Sequence, residues 1–110
     1  MKARYQKVGW KRASKGQPVV LYSEVSDQGV ETRKVDEYRD GRLDFADASR
    51  SSGTTFLSEK AMPSIADIAR QPEFTAMEIR QGEFEEVWRR ATTDRQSRQR
   101  VSLIALPTAR

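Results

Sequence analysis

The chain has no histidine and no cysteine in its 110 residues. Without cysteine there is no disulfide framework, thiolate nucleophile or thiolate metal site. Without histidine the commonest general base and the commonest metal ligand are missing. Ser-His-Asp, Cys-His and H-E-x-x-H arrangements are therefore excluded. Neither a G-x-x-x-x-G-K-[ST] nor a G-x-G-x-x-G loop occurs, so phosphate cradles of those kinds are absent. No apolar run reaches the roughly 18–20 residues of a membrane span. The basic start, Met1 to Tyr5, is followed by no apolar segment of the secretory type. A cytoplasmic location is the expectation.

What remains is carboxylates, lysines, arginines, tyrosines and hydroxyls, in a chain that is 33% charged and 36% hydrophobic. Mixed signs and the presence of aromatics favour a folded domain over a disordered one. The net charge of +4 is unevenly placed. Residues 1–15 carry +6, residues 16–91 carry −5, and residues 92–110 carry +3. An acidic body with basic ends is not the continuous basic face of a nucleic-acid reader.

The first half alternates like strands. Tyr5–Trp10 forms a first short strand, and the stretch from Ala13 to Pro18 is a loop by composition. Val19–Val25, rich in β-branched and aromatic residues, is the clearest strand. Ser26-Asp27-Gln28-Gly29 is a turn, Val30–Arg39 a third strand, Asp40-Gly41 a two-residue hairpin signal, and Arg42–Asp47 a fourth strand. Turns this short make the strands antiparallel. Thr54–Leu57 is a candidate edge strand.

Registering the hairpins on their turns sorts the side chains into two faces. One carries Val19, Leu21, Ser23, Val25, Val30, Thr32, Lys34, Asp36, Tyr38, Leu43 and Phe45. The other carries Val20, Tyr22, Glu24, Glu31, Arg33, Val35, Glu37, Arg39, Arg42 and Asp44. The first is the more apolar and is the expected core face. Lys34 and Asp36 interrupt it, and a bulge in the third strand would swap part of that strand over.

A helical half follows Pro63. Ser64 is an N-cap with Asp67 three residues on, Ile65, Ile68 and Ala69 form a short stripe, and Pro72 ends it. Phe84, Val87, Trp88 and Ala91 fall at i, i+3, i+4 and i+7, the inner face of a second helix. The fold class is thus α+β: an antiparallel β-meander of four to five strands against two C-terminal helices. Residues 1–91 make the domain and residues 92–110 a basic, then apolar, extension. Val101–Leu106 suits a strand docked on a sheet edge, its own or that of a second copy in a strand-exchanged homodimer; a loose tail is the alternative.

Three function classes fit these residues. Tyr22, Glu24, Arg33, Glu37, Arg39 and Arg42 make a mixed-charge surface of the types that anchor protein interfaces, which points to a non-enzymatic protein-binding role. Tyr5 and Trp10 among Lys2, Arg4, Lys7, Lys11 and Arg12 resemble a stacking surface for nucleic acid, although lysines guarding an edge strand explain them as well. Glu24 and Glu37 are the carboxylate pair that a small hydrolase would use. The acids Asp36, Glu37, Asp40, Asp44 and Asp47 fail the calcium-loop pattern, with Arg42 at the third position and Ser51 at the twelfth. They read as a solvated strand face with cross-strand ion pairs. No metal and no cofactor is expected.

Several segments together resemble a family of small bacterial domains of unknown function: Pro18-Val19-Val20-Leu21-Tyr22-Ser23-Glu24, Arg33-Lys34-Val35 and Arg39-Asp40-Gly41-Arg42, then Gly53-Thr54-Thr55-x-Leu57, Pro72-Glu73-Phe74 and Phe84-Glu85-x-Val87-Trp88-Arg89-Arg90-Ala91. The pattern spans residues 5–91; Lys11, Arg12 and Glu37 depart from it. The resemblance implies a bacterial accessory protein with no transferable catalytic residue. Some members look like neighbours of toxin genes, which implies an immunity-type inhibitor.

Overall fold

The computed structural model describes the chain over residues 2–105, and side chains over residues 2–93. The elements run β1 (Arg4–Trp10), β2 (Val20–Val25), β3 (Glu31–Glu37), β4 (Leu43–Asp47), α1 (Ile65–Ala69), β5 (Phe74–Ile79) and α2 (Gln81–Ala105). One five-stranded sheet has the order β4-β3-β2-β1-β5 with every pairing antiparallel. The α+β class and the meander of β1 to β4 are as the sequence indicated. β1, expected at an edge, instead lies between β2 and β5.

Because β4 and β5 occupy opposite edges, the connection between them has to cross the sheet. Residues 48–73 do so on one face, and α2 covers the other. Each face is therefore buried, but by different chemistry. Under α2 the core is Tyr5, Tyr22, Val35, Leu43, Phe45 and Ile79 against Phe84, Val87 and Ala91. Phe84, fully buried, has its ring 5.4 Å from that of Tyr5, and Trp88 meets Phe45 edge-on at 5.5 Å.

This corrects the expected core face. Val20, Tyr22 and Val35 belong to the face thought to be solvated, and Leu43 and Phe45 join them. The reason is a one-residue slip at the β3–β4 turn. The Tyr38 N–H bonds the Arg42 carbonyl and Glu37 pairs with Leu43, so Arg39-Asp40-Gly41 is a three-residue loop with Gly41 at φ 90°. Loops of that length carry a left-handed glycine as last residue. Shifting register by one residue turns every side chain of a strand to the other face. A bulge does occur between β2 and β3, at Glu24/Val25.

The face crossed by the connection is held by buried carboxyls. Glu31 accepts from the Ser23 hydroxyl (2.6 Å) and from the Ser58 N–H (2.8 Å). Asp36 accepts from Thr55 Oγ1 at 2.9 Å. Asp44 accepts from Ser52 Oγ at 2.9 Å, and that same hydroxyl oxygen accepts from the Phe45 N–H. Asp36 and Asp44 are therefore buried fasteners, not members of a solvated strand face. Burial raises the Asp36 carboxyl above its ordinary range, opposed by Lys34, 3.9 Å away. Residues 54–57 form no strand; the chain there is held by the Thr55 side chain, after an isolated bridge from Ala46 to Ser51.

The C-terminal half also differs from expectation. β5 is an addition, and α2 begins at Gln81 and continues past residue 91 without a break. Residues 101–105, expected as a strand, lie within the bounds of α2, and Leu106 lies outside the described residues. From Glu83 to Leu106 there is neither Gly nor Pro, and Arg, Gln and Ala are strong helix formers, so nothing local stops the helix.

Gly53 has φ 57°, and a Cβ there would collide with the Asp44 carboxylate. At Gly41 a Cβ would meet open space. Gly41→Ala should therefore cost only the left-handed backbone penalty, about 1 kcal/mol. Gly53→Ala should cost at least ~1 kcal/mol more, since it also displaces a buried hydrogen-bonded acid. Urea midpoints of the two variants check the order.

Candidate functional site

Of the six residues nominated from sequence, four lie on the α2 side of the sheet and form two pairs. β2 and β3 place Glu24 opposite Arg33 in register. Arg33 grips Glu24 through Nε (2.9 Å) and Nη2 (2.8 Å). The same guanidinium reaches α2, where Nη1 and Nη2 bond the two Glu85 oxygens at 3.0 and 2.6 Å. Its Cζ lies 5.0 Å from the centre of the Phe84 ring and 5.1 Å from that of Trp88. Glu24 also accepts from Tyr5 Oη (3.0 Å) and Thr32 Oγ1 (2.8 Å). One arginine thus joins two strands to the helix through paired, geometrically matched bonds.

The electrostatics follow. The Arg33 hydrogen bonds hold the Glu24 carboxyl down at about 2, against partial burial that would raise it. Arg33 likewise lowers Glu85, and the two carboxylates raise Arg33 further. The second pair is Tyr22 and Glu37: the hydroxyl donates to Glu37 Oε1 at 3.1 Å, and burial together with that carboxylate pushes the phenol up to about 12. A carboxylate held near 2 remains ionised at neutral pH and is poorly matched to proton transfer there. Glu24 and Glu37 each have their own structural partner.

Arg39 and Arg42 sit apart from these pairs, at the β3–β4 turn. Arg39 is exposed and donates to the Ala13 carbonyl at 3.2 Å. Arg42 stacks 4.1 Å from the Tyr38 ring, with its Nε 3.9 Å from Asp44. The nominated six are therefore not one open surface. Tyr5 and Trp10 likewise part company: Tyr5 is buried under α2, while Trp10 points to the other face, 5.8 Å from the Phe74 ring. Alternation along β1 enforces this and leaves no shared stacking platform.

The remaining acids are turn elements. Asp40 accepts from the Arg42 N–H, and Asp47 from the Ser49 and Arg50 N–H groups. Among the described residues no group of three or more acidic side chains is arranged to hold a metal ion, and no helix is long and apolar enough to cross a membrane.

A feature that sequence reasoning passed over is Phe56. It is 70% exposed, the most exposed large hydrophobic side chain among the described residues. The Lys34 ammonium lies 5.8 Å from its ring and donates to its carbonyl at 3.4 Å. The loop bearing it is fastened by Ser52 to Asp44 and by Thr55 to Asp36. Its sequence signal was an aromatic within a polar, small-residue loop, and it was absorbed into a supposed edge strand.

The Arg33 arrangement predicts a pH dependence. A carboxyl near 2 in the folded state and near 4.5 when unfolded stabilises the fold fully above 4.5. That contribution is lost as pH falls towards 2. Glu24→Gln should lower stability at pH 7 by about 1–3 kcal/mol and flatten the acid side of the profile between those values. Denaturant melts at pH 7, 4 and 3 check both.

The sequence of residues 4–93 matches a family model described as Domain of unknown function (DUF6881). No curated protein and no solved structure matches the chain. The match covers all five strands, α1 and residues 81–93 of α2, so the chain belongs to the DUF6881 family.

Proposed function

We propose that this domain is a non-enzymatic protein-binding module whose anchor is Phe56. The observation that carries this reading is an aromatic ring 70% exposed on a loop tied to the sheet by buried side-chain hydrogen bonds. Exposing a phenylalanine is unfavourable in isolation, whereas a pre-organised aromatic loses little entropy on docking. Leu57, half-buried beside it, extends the apolar contact, and Lys34, Glu59 and Lys60 line the concavity next to the ring. A partner with an apolar socket and a mixed-charge rim fits this surface. The family resemblance supports a bacterial setting and a toxin domain as the partner, which would make the module an immunity-type inhibitor; the lack of a secretory-type segment in the sequence supports a cytoplasmic one.

The experiment is affinity recovery from the native host with the intact chain and with Phe56→Ala. The variant should melt within about 2 °C of the parent, since it removes an exposed side chain. A protein recovered at stoichiometric abundance by the parent should bind the variant at least ~30-fold more weakly, as for an interface anchor. Equal recovery by both chains, or recovery of no partner by either, would contradict the reading.

A further inference from the structure

The two edges of the sheet are finished differently. At β4 the main-chain groups of Phe45 and Asp47 point away from β3, and the chain that follows takes them up. The Ser52 N–H bonds the Phe45 carbonyl at 2.8 Å, and Ser52 Oγ accepts from the Phe45 N–H at 2.9 Å. The Asp47 N–H bonds the Arg50 carbonyl at 2.8 Å. An incoming strand finds those positions occupied.

β5, the opposite edge, has no such cover. The Lys11 N–H bonds the Glu73 carbonyl, and the register of β1 with β5 repeats that bonding pair at Thr75, Met77 and Ile79. Phe74, Ala76 and Glu78 therefore turn their N–H and C=O groups outwards. The Phe74 N–H is used by the Gln71 carbonyl, whereas Ala76 and Glu78 have no main-chain partner among the described residues. Open edges are normally guarded by lysine, proline or a bulge. β5 contains neither lysine nor proline, and its pairing with β1 runs without a shift. Met77, at its middle, is 56% exposed.

We propose that β5 is a dimerisation edge, pairing antiparallel with β5 of a second copy about a two-fold axis at Met77. The strand is complementary to itself in that register. The axis sets each Ala76 against Glu78 of the second copy, and these outward-facing residues exchange four main-chain hydrogen bonds. Met77 meets its own counterpart as a non-hydrogen-bonded pair, the closer kind, so the two exposed thioethers cover one another. Glu78, the one charge of the strand, lies opposite an alanine. A register two residues further on would set Glu78 directly against Glu78, like charge against like. Phe56 lies over Lys34 of β3, separated from β5 by two strands, so pairing at this edge leaves that ring free.

Sedimentation equilibrium of the intact chain tests this. The parent should show a concentration-dependent monomer–dimer equilibrium. Met77→Lys and Met77→Glu, both at an exposed position, should each weaken the dimer at least ~tenfold by setting like charges against each other at the axis. An equimolar mixture of the two variants should recover association through the unlike pair, and Phe56→Ala should leave the equilibrium unchanged. In the parent, the Ala76 and Glu78 amides should exchange more slowly as protein concentration rises, a readout that needs no variant. The proposal is overturned by a parent still monomeric at ~0.5 mM, where even a weak contact of millimolar Kd is populated. Dimers that survive both charge substitutions overturn it, as do a mixture that stays monomeric, loss of the dimer in Phe56→Ala, and amide exchange indifferent to concentration.

Discussion

A single guanidinium joins the two layers of this domain. Arg33 makes two bonds to Glu24 on the neighbouring strand and two to Glu85 on α2, with the Phe84 and Trp88 rings against it. Its side chain is 20% exposed and that of Glu24 16%, so the pair is only partly desolvated. Such a cluster is favourable because every charged atom has a matched partner and the guanidinium also packs on aromatic faces. Remove the arginine and two carboxylates remain on either side of the helix–sheet seam. The interaction also fixes orientation, since a planar, doubly bidentate contact tolerates little sliding of α2.

The opposite face is held differently. There the connection between edge strands is tied down by Glu31, Asp36 and Asp44 through serine and threonine hydroxyls and one backbone N–H. Hydrogen bonds to buried acids fix a loop at defined points and leave room between them. Phe56 projects from one such interval, and a cavity lined by Gln6 occupies another. Both features follow from covering a sheet with irregular chain instead of a helix.

The elements with local signals were legible in the sequence. Val20–Val25 is dense in β-branched and aromatic residues, Ser64 accepts from the Asp67 N–H as an N-cap should, and Phe84, Val87 and Ala91 form the inner face of α2. What failed depended on contacts distant in sequence. Asp40-Gly41 reads as a two-residue turn, and only pairing across the sheet reveals the third loop residue that reverses Leu43 and Phe45. β5 contains Ala, Met and Glu, weak strand formers that pair because β1 offers an open edge. Among the nominated residues Glu24 meets Arg33 and Tyr22 meets Glu37 on the face under α2, a helix that strand alternation alone cannot position over the sheet. Buried acids such as Asp36 look like surface acids until the hydroxyls that satisfy them are located.

Membership of the DUF6881 family covers residues 4–93, the span that contains both layers and the arginine that joins them. The central claim is that Arg33 couples α2 to the sheet through its charge as well as its bulk. Urea denaturation of Arg33→Met at pH 7 tests it most directly, because methionine retains much of the apolar stem and none of the bonds. The account predicts a loss of at least about 1.5 kcal/mol, the result of leaving Glu24 and Glu85 unmatched. A change smaller than about 0.5 kcal/mol, the range of ordinary surface substitutions, would contradict it.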